Sequence, residues 1–416
     1  MDFASKVIVK AATQEDIPIL ELDQESSLFQ LGYGKYAKLI QGLITEKNSY
    51  LAENLFNSSV EVGNLLDQHG FPVHQEFKTA SKGLIEEEIR DSYYNLLVID
   101  SKVVAGIKKE YKLDEGRVTN SKKIALIKVP LEDRDLAVKA TDFLGLQLAE
   151  VGILITEEME PVIIEVNPAS KINLSDYAQD SERIGKEIID LLAPDRIPIF
   201  SILSQPRQDL TIDFLATILQ ESGIEASKLS QGKNTNFFKL GVKRILSDRE
   251  VEVALFSRTP TEIEQNGLIY QASDLVLLNG ITEKLTADSL LLTEIQEKGT
   301  VILNADDSQL VRLIEQLEGK KLLFCSLKRD NLIIQRRIAQ GKPAVYLTNR
   351  NLVLFDGEDE LPIIANQGFT DNKIMSALFA IAAAYSYGLP SFMIRAGLKK
   401  RINKSMDPAS LFQINY

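Results

Sequence analysis

Ile197-Pro198-Ile199-Phe200-Ser201-Ile202-Leu203, followed by Ser204-Gln205-Pro206-Arg207-Gln208-Asp209-Leu210-Thr211, is the stretch on which the reading of the chain turns. Its first half is a short apolar run rich in isoleucine and reads as a buried strand. Ile212, Leu215, Ala216, Ile218 and Leu219 then fall at helical spacing, so a helix follows. Strand, tight loop and helix is the setting in which backbone N–H groups hold a phosphate. That chemistry needs glycines to let the backbone close on the oxygens and a lysine to meet their charge. Residues 204–211 contain neither. Pro206 removes a donor, and Asp209 adds negative charge where a phosphate would sit. The frame of a nucleotide site is present and its chemistry is replaced.

Upstream of this stretch, Pro194-Asp195-Arg196 reads as a linker, dividing the 416 residues into domains at 1–193 and 196–416. Residues 180–192 form an amphipathic helix through Ile184, Ile188, Ile189, Leu191 and Leu192. Strands are predicted at 161–168 and 151–155, a helix over 131–149, and a hairpin over 93–106. Residues 51–69 have helical spacing and stop at His69-Gly70. The start of the chain reads as strands at 6–10, 17–22 and 39–44, with a glycine turn at 32–36.

Composition excludes several classes. A net charge of −12 argues against a nucleic-acid or anionic membrane surface as the main partner. The one cysteine, Cys325, rules out an internal disulfide framework and reads as a core thiol. His69 and His74 lack metal-ligand spacing. No apolar run reaches the ~18 residues of a membrane span, and no leader is evident. A cytoplasmic protein is expected.

The segment IPILELDQESSLFQLGYGKY at 17–36, with a helix and Gly70-Phe71-Pro72-Val73 after it, resembles the start of the ATP-grasp module of cyanophycin synthetases. These enzymes polymerise aspartate and arginine with an ATP-grasp and a Mur-ligase-like module. The resemblance implies a glycine-rich lid after Val73. The short stretch that follows has no such loop, so a lidless domain is expected. Asn95 stands where the family usually has an arginine, and Lys108 matches a basic position. Pro161-Val162-Ile163-Ile164-Glu165-Val166-Asn167-Pro168 resembles the metal strand, on which a carboxylate and an amide two residues apart hold Mg²⁺ between ATP phosphates. Glu165 and Asn167 match it, while the acid of the preceding strand aligns with Gly152.

Residues 196–416 resemble the central domain of Mur ligases, a doubly wound α/β sheet with a phosphate loop after its first strand. The anchors are the strands at 251–256 and 273–279, Val301-Ile302-Leu303-Asn304-Ala305-Asp306-Asp307, and Ile394-Arg395-Ala396-Gly397-Leu398. The family's loop lysine aligns with Gln208, its glycines with Ser204 and Arg207, and its Mg²⁺-binding hydroxyl residue with Asp209. Its magnesium glutamate falls on Ser257, a nearby arginine on Pro260, a histidine on Lys284 and an adenine-contacting asparagine on Ser376. The modified lysine of the next helix has no counterpart in 287–296. Asn304, Asp306 and Asp307 remain from the nucleotide site. The resemblance also implies that the domains flanking these two modules in active enzymes lie outside this chain.

The expected fold is therefore a lidless ATP-grasp-like α+β domain followed by a Mur-central-like doubly wound α/β domain. Apolar stripes are kept while charged tools are changed. A non-catalytic homologue of cyanophycin synthetase follows, binding no cofactor. It would partner an active synthetase or itself, or bind the polymer or its amino acids. The alternatives are a residual ATP-dependent ligase using Mg–ATP through Lys108, Glu165 and Asn167, and a folded remnant without a role.

Overall fold

The computed structural model describes residues 1–49, 56, 58–79, 93–112, 117–124, 126–154, 160–203, 210–230, 235–279, 295–312, 314–317, 319–366 and 369–406. The chain forms two units. The first holds Met1–Gly32 and Tyr36–Asp195, and the second holds the turn Tyr33–Lys35 and the chain from Arg196.

The first unit opens on a helix, α1 (Phe3–Gln14), and not on the strand that Lys6-Val7-Ile8-Val9-Lys10 suggests. Two signals outside that run decide it. The Asp2 side chain accepts the Ser5 N–H at 2.8 Å and caps the helix. The buried positions Ser5, Ile8, Ala11 and Ala12 repeat at helical spacing. Strands β1 (Ile19–Asp23), β2 (Leu28–Leu31), β3 (Lys38–Gln41) and β4 (Ile44–Thr45) form an antiparallel meander. Helices α2 (Ser59–Gln68) and α3 (Gln75–Thr79) follow, α2 ending at Gly70 with φ +82°.

A five-stranded antiparallel sheet completes this unit, built from β5 (Tyr93–Ile99), β6 (Lys102–Lys112), β7 (Arg117–Lys123), β8 (Leu148–Leu154) and β9 (Val162–Pro168) in the order β7-β6-β5-β8-β9. Asp100 and Ser101, both with positive φ, make the tight turn of the expected β5–β6 hairpin. Helix α4 (Leu131–Phe143) is shorter than expected, because the chain turns at Gly145 and β8 begins at Leu148. Side chains of β5 alternate between two cores. Leu97 and Ile99 join Tyr177, Ile184 and Ile188, the last two from α5 (Ser181–Leu192). Tyr94, Leu96 and Val98 join Leu66 of α2 and Ala137 of α4.

The second unit is built on a nine-stranded sheet ordered β11-β12-β10-β13-β14-β15-β16-β17-β18. The strands are β10 (Ile199–Leu203), β11 (Ala226–Ser230), β12 (Val253–Arg258), β13 (Ser273–Leu278), β14 (Ile295–Asn304), β15 (Lys321–Ser326), β16 (Ala344–Leu347), β17 (Asn351–Phe355) and β18 (Glu360–Ala365). All pairs from β11 through β16 are parallel, and β17 and β18 add an antiparallel hairpin. The doubly wound sheet expected from the sequence is present. Strands β10 and β12 are buried along their whole length, as a sheet covered on both faces requires. Helices α6 (Thr211–Glu221), α7 (Thr235–Ser247), α8 (Pro260–Asn266), α9 (Ser308–Val311), α10 (Leu332–Ala339), α11 (Asp371–Tyr387) and α12 (Ser391–Met406) complete it. Gln296, expected in a helix, lies in β14. Cys325 is fully buried, and burial pushes its thiol well above the ordinary range. Among the described residues no helix is long and apolar enough to cross a membrane.

Candidate functional site

In the first unit, the register of β8 and β9 pairs Glu150 with Asn167 and Gly152 with Glu165. Paired residues of neighbouring strands share a face. Asn95 pairs with Gly152, and Lys109 pairs with Tyr93, so Asn95, Lys109, Glu150, Glu165 and Asn167 all lie on one side of the sheet. The register slips beside Glu165, leaving Ile164 as an extra residue on β9. Bulges of this kind re-aim a side chain. Glu165 folds over the glycine: a Cβ added at Gly152 would lie 2.5 Å from Glu165 Cγ.

Glu150 is 6% exposed, and both its carboxylate oxygens are engaged. Asn167 Nδ2 donates to Oε1 at 3.2 Å, and the Tyr177 hydroxyl donates to Oε2 at 2.5 Å. Tyr177 reaches it from the 3-10 segment Leu174–Asp180 and is itself buried. Burial, then the charge of Glu150, holds the Tyr177 phenol well above its usual range. The Glu165 carboxyl is also raised, first by burial and then by Glu150, against the opposing pull of Lys109 and of the Asn95 and Asn167 amides. The Asn95 amide lies near enough to favour the Glu165 anion, yet neither of its polar atoms reaches hydrogen-bond geometry.

Two expectations are corrected here. Lys108 pairs with Tyr94 and so falls on the opposite side of the sheet from Glu165. The basic residue on the acidic side is Lys109, because side chains alternate along a strand and a shift of one residue changes the face. Glu150 is the acidic residue that sequence reading missed. Starting β8 at residue 151 left Glu150 in a loop, whereas the alternation Glu150, Gly152, Leu154 places it on the site's face. The expected absence of a lid falls partly on residues 80–92, which lie outside the described residues.

In the second unit Asn304 and Asp307 are held by local structure, and Asp306 by groups at the end of β15 and beyond it. Asn304 Oδ1 accepts the Asp306 N–H at 2.9 Å. Asp306 accepts from Ser326 Oγ at 2.7 Å, the Leu327 N–H at 2.7 Å and Asn331 Nδ2 at 2.9 Å. Asp307 caps α9 by accepting the Gln309 N–H at 2.9 Å. At the end of β12, Ser257 is buried and Arg258 is 1% exposed. The guanidinium donates to the carbonyls of Gly267 at 2.6 Å and Glu262 at 2.7 Å, and lies 5.0 Å from the Phe238 ring centre. Burial lowers its pKa. Pro260 begins α8 behind a Thr259–Glu262 capping box. Ser376 Oγ accepts the Leu210 N–H at 3.2 Å. Ser204, Arg207, Gln208, Asp209 and Lys284 lie outside the described residues.

Mg²⁺ takes near-octahedral oxygen ligation, commonly with one or two carboxylates. The strand pair β8–β9 does not fit it. Each Glu150 oxygen already accepts a hydrogen bond, from Asn167 or Tyr177, and Gly152 has no side chain to offer. Among the described residues, no group of three or more His, Cys, Asp or Glu side chains is placed to hold a metal ion.

A RimK-like ATP-grasp domain is matched over residues 56–192. The cyanophycin synthetase of Geminocystis herdmanii is 26% identical over 308 residues, covering 64% of this chain and 35% of that enzyme. The chain thus spans about a third of the length of that relative, and the match is too long to fall within the first unit alone. A probable alpha-L-glutamate ligase of Desulfotalea psychrophila is 31% identical over 151 residues, covering 36% of this chain and 29% of that protein. The crystal structure of MurF from Acinetobacter baumannii overlays with a TM-score of 0.37 and 14% identity, over 49% of this chain and 45% of that one. The chain is similar to cyanophycin synthetases and matches a RimK-like ATP-grasp domain over residues 56–192.

Proposed function

We propose that this chain is a non-catalytic homologue of the ATP-dependent amino-acid ligases it resembles. It serves as a scaffold or regulatory partner of an active synthetase or of a second copy of itself, or binds the polymer or its amino acids. The observation that carries this reading is the Glu150 carboxylate, buried opposite Asn167 of the expected metal strand, with one oxygen held by Asn167 and the other by Tyr177. Phosphoryl transfer depends on metal and cationic groups that neutralise the transferring phosphate, and losing one such group costs orders of magnitude in rate. The glycine-free, lysine-free sequence of residues 204–211 supports the same reading for the second unit.

A residual carboxylate–amine ligase is the second reading. It is favoured by Glu150 itself, which puts a second acid beside Glu165 and Asn167. Calorimetric titration with Mg–ATP, run beside an ADP-release assay with aspartate, arginine and their dipeptide, separates the two. We expect no binding heat at about 1 mM nucleotide and no ADP above background. Turnover that depends on Glu165 would establish the ligase and end the first reading.

A further inference from the structure

We infer that the first unit fills the place of a divalent ion from its own side chains: Tyr177 and Asn167 donate to the Glu150 carboxylate, and Lys109 brings a positive charge to the acidic face. This deepens the reading above and rests on it.

A divalent ion between strands does two things for the carboxylates around it. It satisfies their lone pairs, and it offsets their mutual repulsion. Here both tasks fall to the chain. The lone pairs of Glu150 meet one amide and one phenol donor, from β9 and from the segment Leu174–Asp180. A buried carboxylate needs such donors, since leaving it bare is costly. The charge task falls to Lys109, whose ammonium favours the Glu165 anion and lies 5.8 Å from the Tyr93 ring centre. The charged groups gathered here are Glu150, Glu165 and Lys109, with Asp176 beside Tyr177 on its own segment.

Gly152 permits the arrangement. The Glu165 side chain occupies the space that an acid at 152 would need, with Cγ 2.5 Å and Oε1 3.3 Å from a Cβ placed there. An aspartate at 152 and the present Glu165 rotamer exclude one another. The buried Asn95 amide, facing Gly152 across β5 and β8, is the polar group this arrangement leaves without a hydrogen bond. Among the polar groups discussed on this face it alone gains nothing from the substitution of side chains for metal.

The test is thermal melting of the full chain with EDTA, with Mg²⁺ and with about 1 mM Mn²⁺, supported by the Mn²⁺ electron paramagnetic resonance signal. Wild type should melt at one temperature in all three conditions and leave the Mn²⁺ signal at full amplitude. Tyr177→Phe and Lys109→Met should each melt several degrees lower, and Mn²⁺ should recover part of that loss while its free signal falls. Lys109 is only half-buried, so that variant folds even if Tyr177→Phe does not. A wild type stabilised by Mn²⁺ or destabilised by EDTA overturns the inference. So do variants that melt like wild type, or that ignore Mn²⁺. The proposed function fails separately, on ADP release by wild type, and that assay leaves the variant melts to decide this inference alone.

Discussion

The acidic residues at the end of β14 and those across β8 and β9 are held in opposite ways. At β14, each polar group answers a backbone N–H: Asp307 caps a helix, Asn304 closes a turn, and Asp306 accepts the Leu327 amide. Across β8 and β9, side chains alone hold Glu150, through the amide of Asn167 and the phenol of Tyr177. The first arrangement would persist with no ligand ever present, because turns and caps need those groups. The second satisfies its acids only through other side chains and leaves one amide bare. A polar residue surviving from a nucleotide site is therefore weak testimony where local backbone has use for it, and stronger where it has none.

Arg258 and Asp306 test the first half of this contrast. Arg258→Met should be the most damaging change, costing about 3 kcal/mol by denaturant melting. The methionine fills much of the volume but abandons the carbonyls of Glu262 and Gly267. Loss below 1 kcal/mol would show that those carbonyls find other donors. Asp306→Ala should cost about 2 kcal/mol, since three donors from Ser326, Leu327 and Asn331 lose one acceptor. Nucleotide should alter neither figure. A nucleotide-dependent melt that vanishes in Asp306→Ala would return this cluster to ligand binding.

The doubly wound sheet was legible because buried parallel strands announce themselves as continuous apolar runs, and Phe200 and Leu255 sit where those runs place them. The start of the chain was not. Val7, Ile8 and Val9 carry the β-branched composition of a strand, and only Asp2 and the spacing of Ile8, Ala11 and Ala12 reveal α1. Capping and long-range burial overrode local propensity there. The site was half legible. Glu165 and Asn167 come from the resemblance of residues 161–168 to a metal strand, and the register puts both on the face of Glu150. Lys109 and Glu150 required the register, which depends on where β6 and β8 begin and on the extra residue at Ile164. Tyr177 could not be found by motif, because its role arises from a 3-10 turn folding back over the sheet.

Asn95 tests the second half of the contrast, with a smaller effect of opposite sign. Its amide is buried with both polar atoms unpartnered among the described residues. Replacing such a group by an apolar one of similar size removes a desolvation penalty. Asn95→Leu should stabilise the first unit by about 1 kcal/mol, read as a higher denaturant midpoint at constant slope. A clear destabilisation would mean that the amide has a partner in solution, most simply an ordered water shared with Glu165.

The smallest effect belongs to Asp213 in the second unit, a control whose hydrogen bonds to Lys228 and Arg401 involve neither cluster. Burial alone would raise its carboxyl, but the Lys228 ammonium and then the Arg401 guanidinium outweigh burial and hold it below the ordinary range. Lys228 bonds directly to Oδ1, and Arg401 Nη2 lies 3.3 Å from Oδ2. A depressed carboxylate pKa means that the folded state resists protonation more than the unfolded chain does. Its stabilising contribution is therefore complete above the unfolded value and is lost as pH falls through the folded one. Asp213→Asn should leave the acid side of the stability profile flatter, with a loss near neutral pH of at most about 1 kcal/mol. Lys228→Met should reproduce part of that flattening, because the half-exposed ammonium is the larger of the two favourable influences. If Asp213→Asn flattened nothing, the clamp between α6 and α12 would not be what makes this unit acid-sensitive.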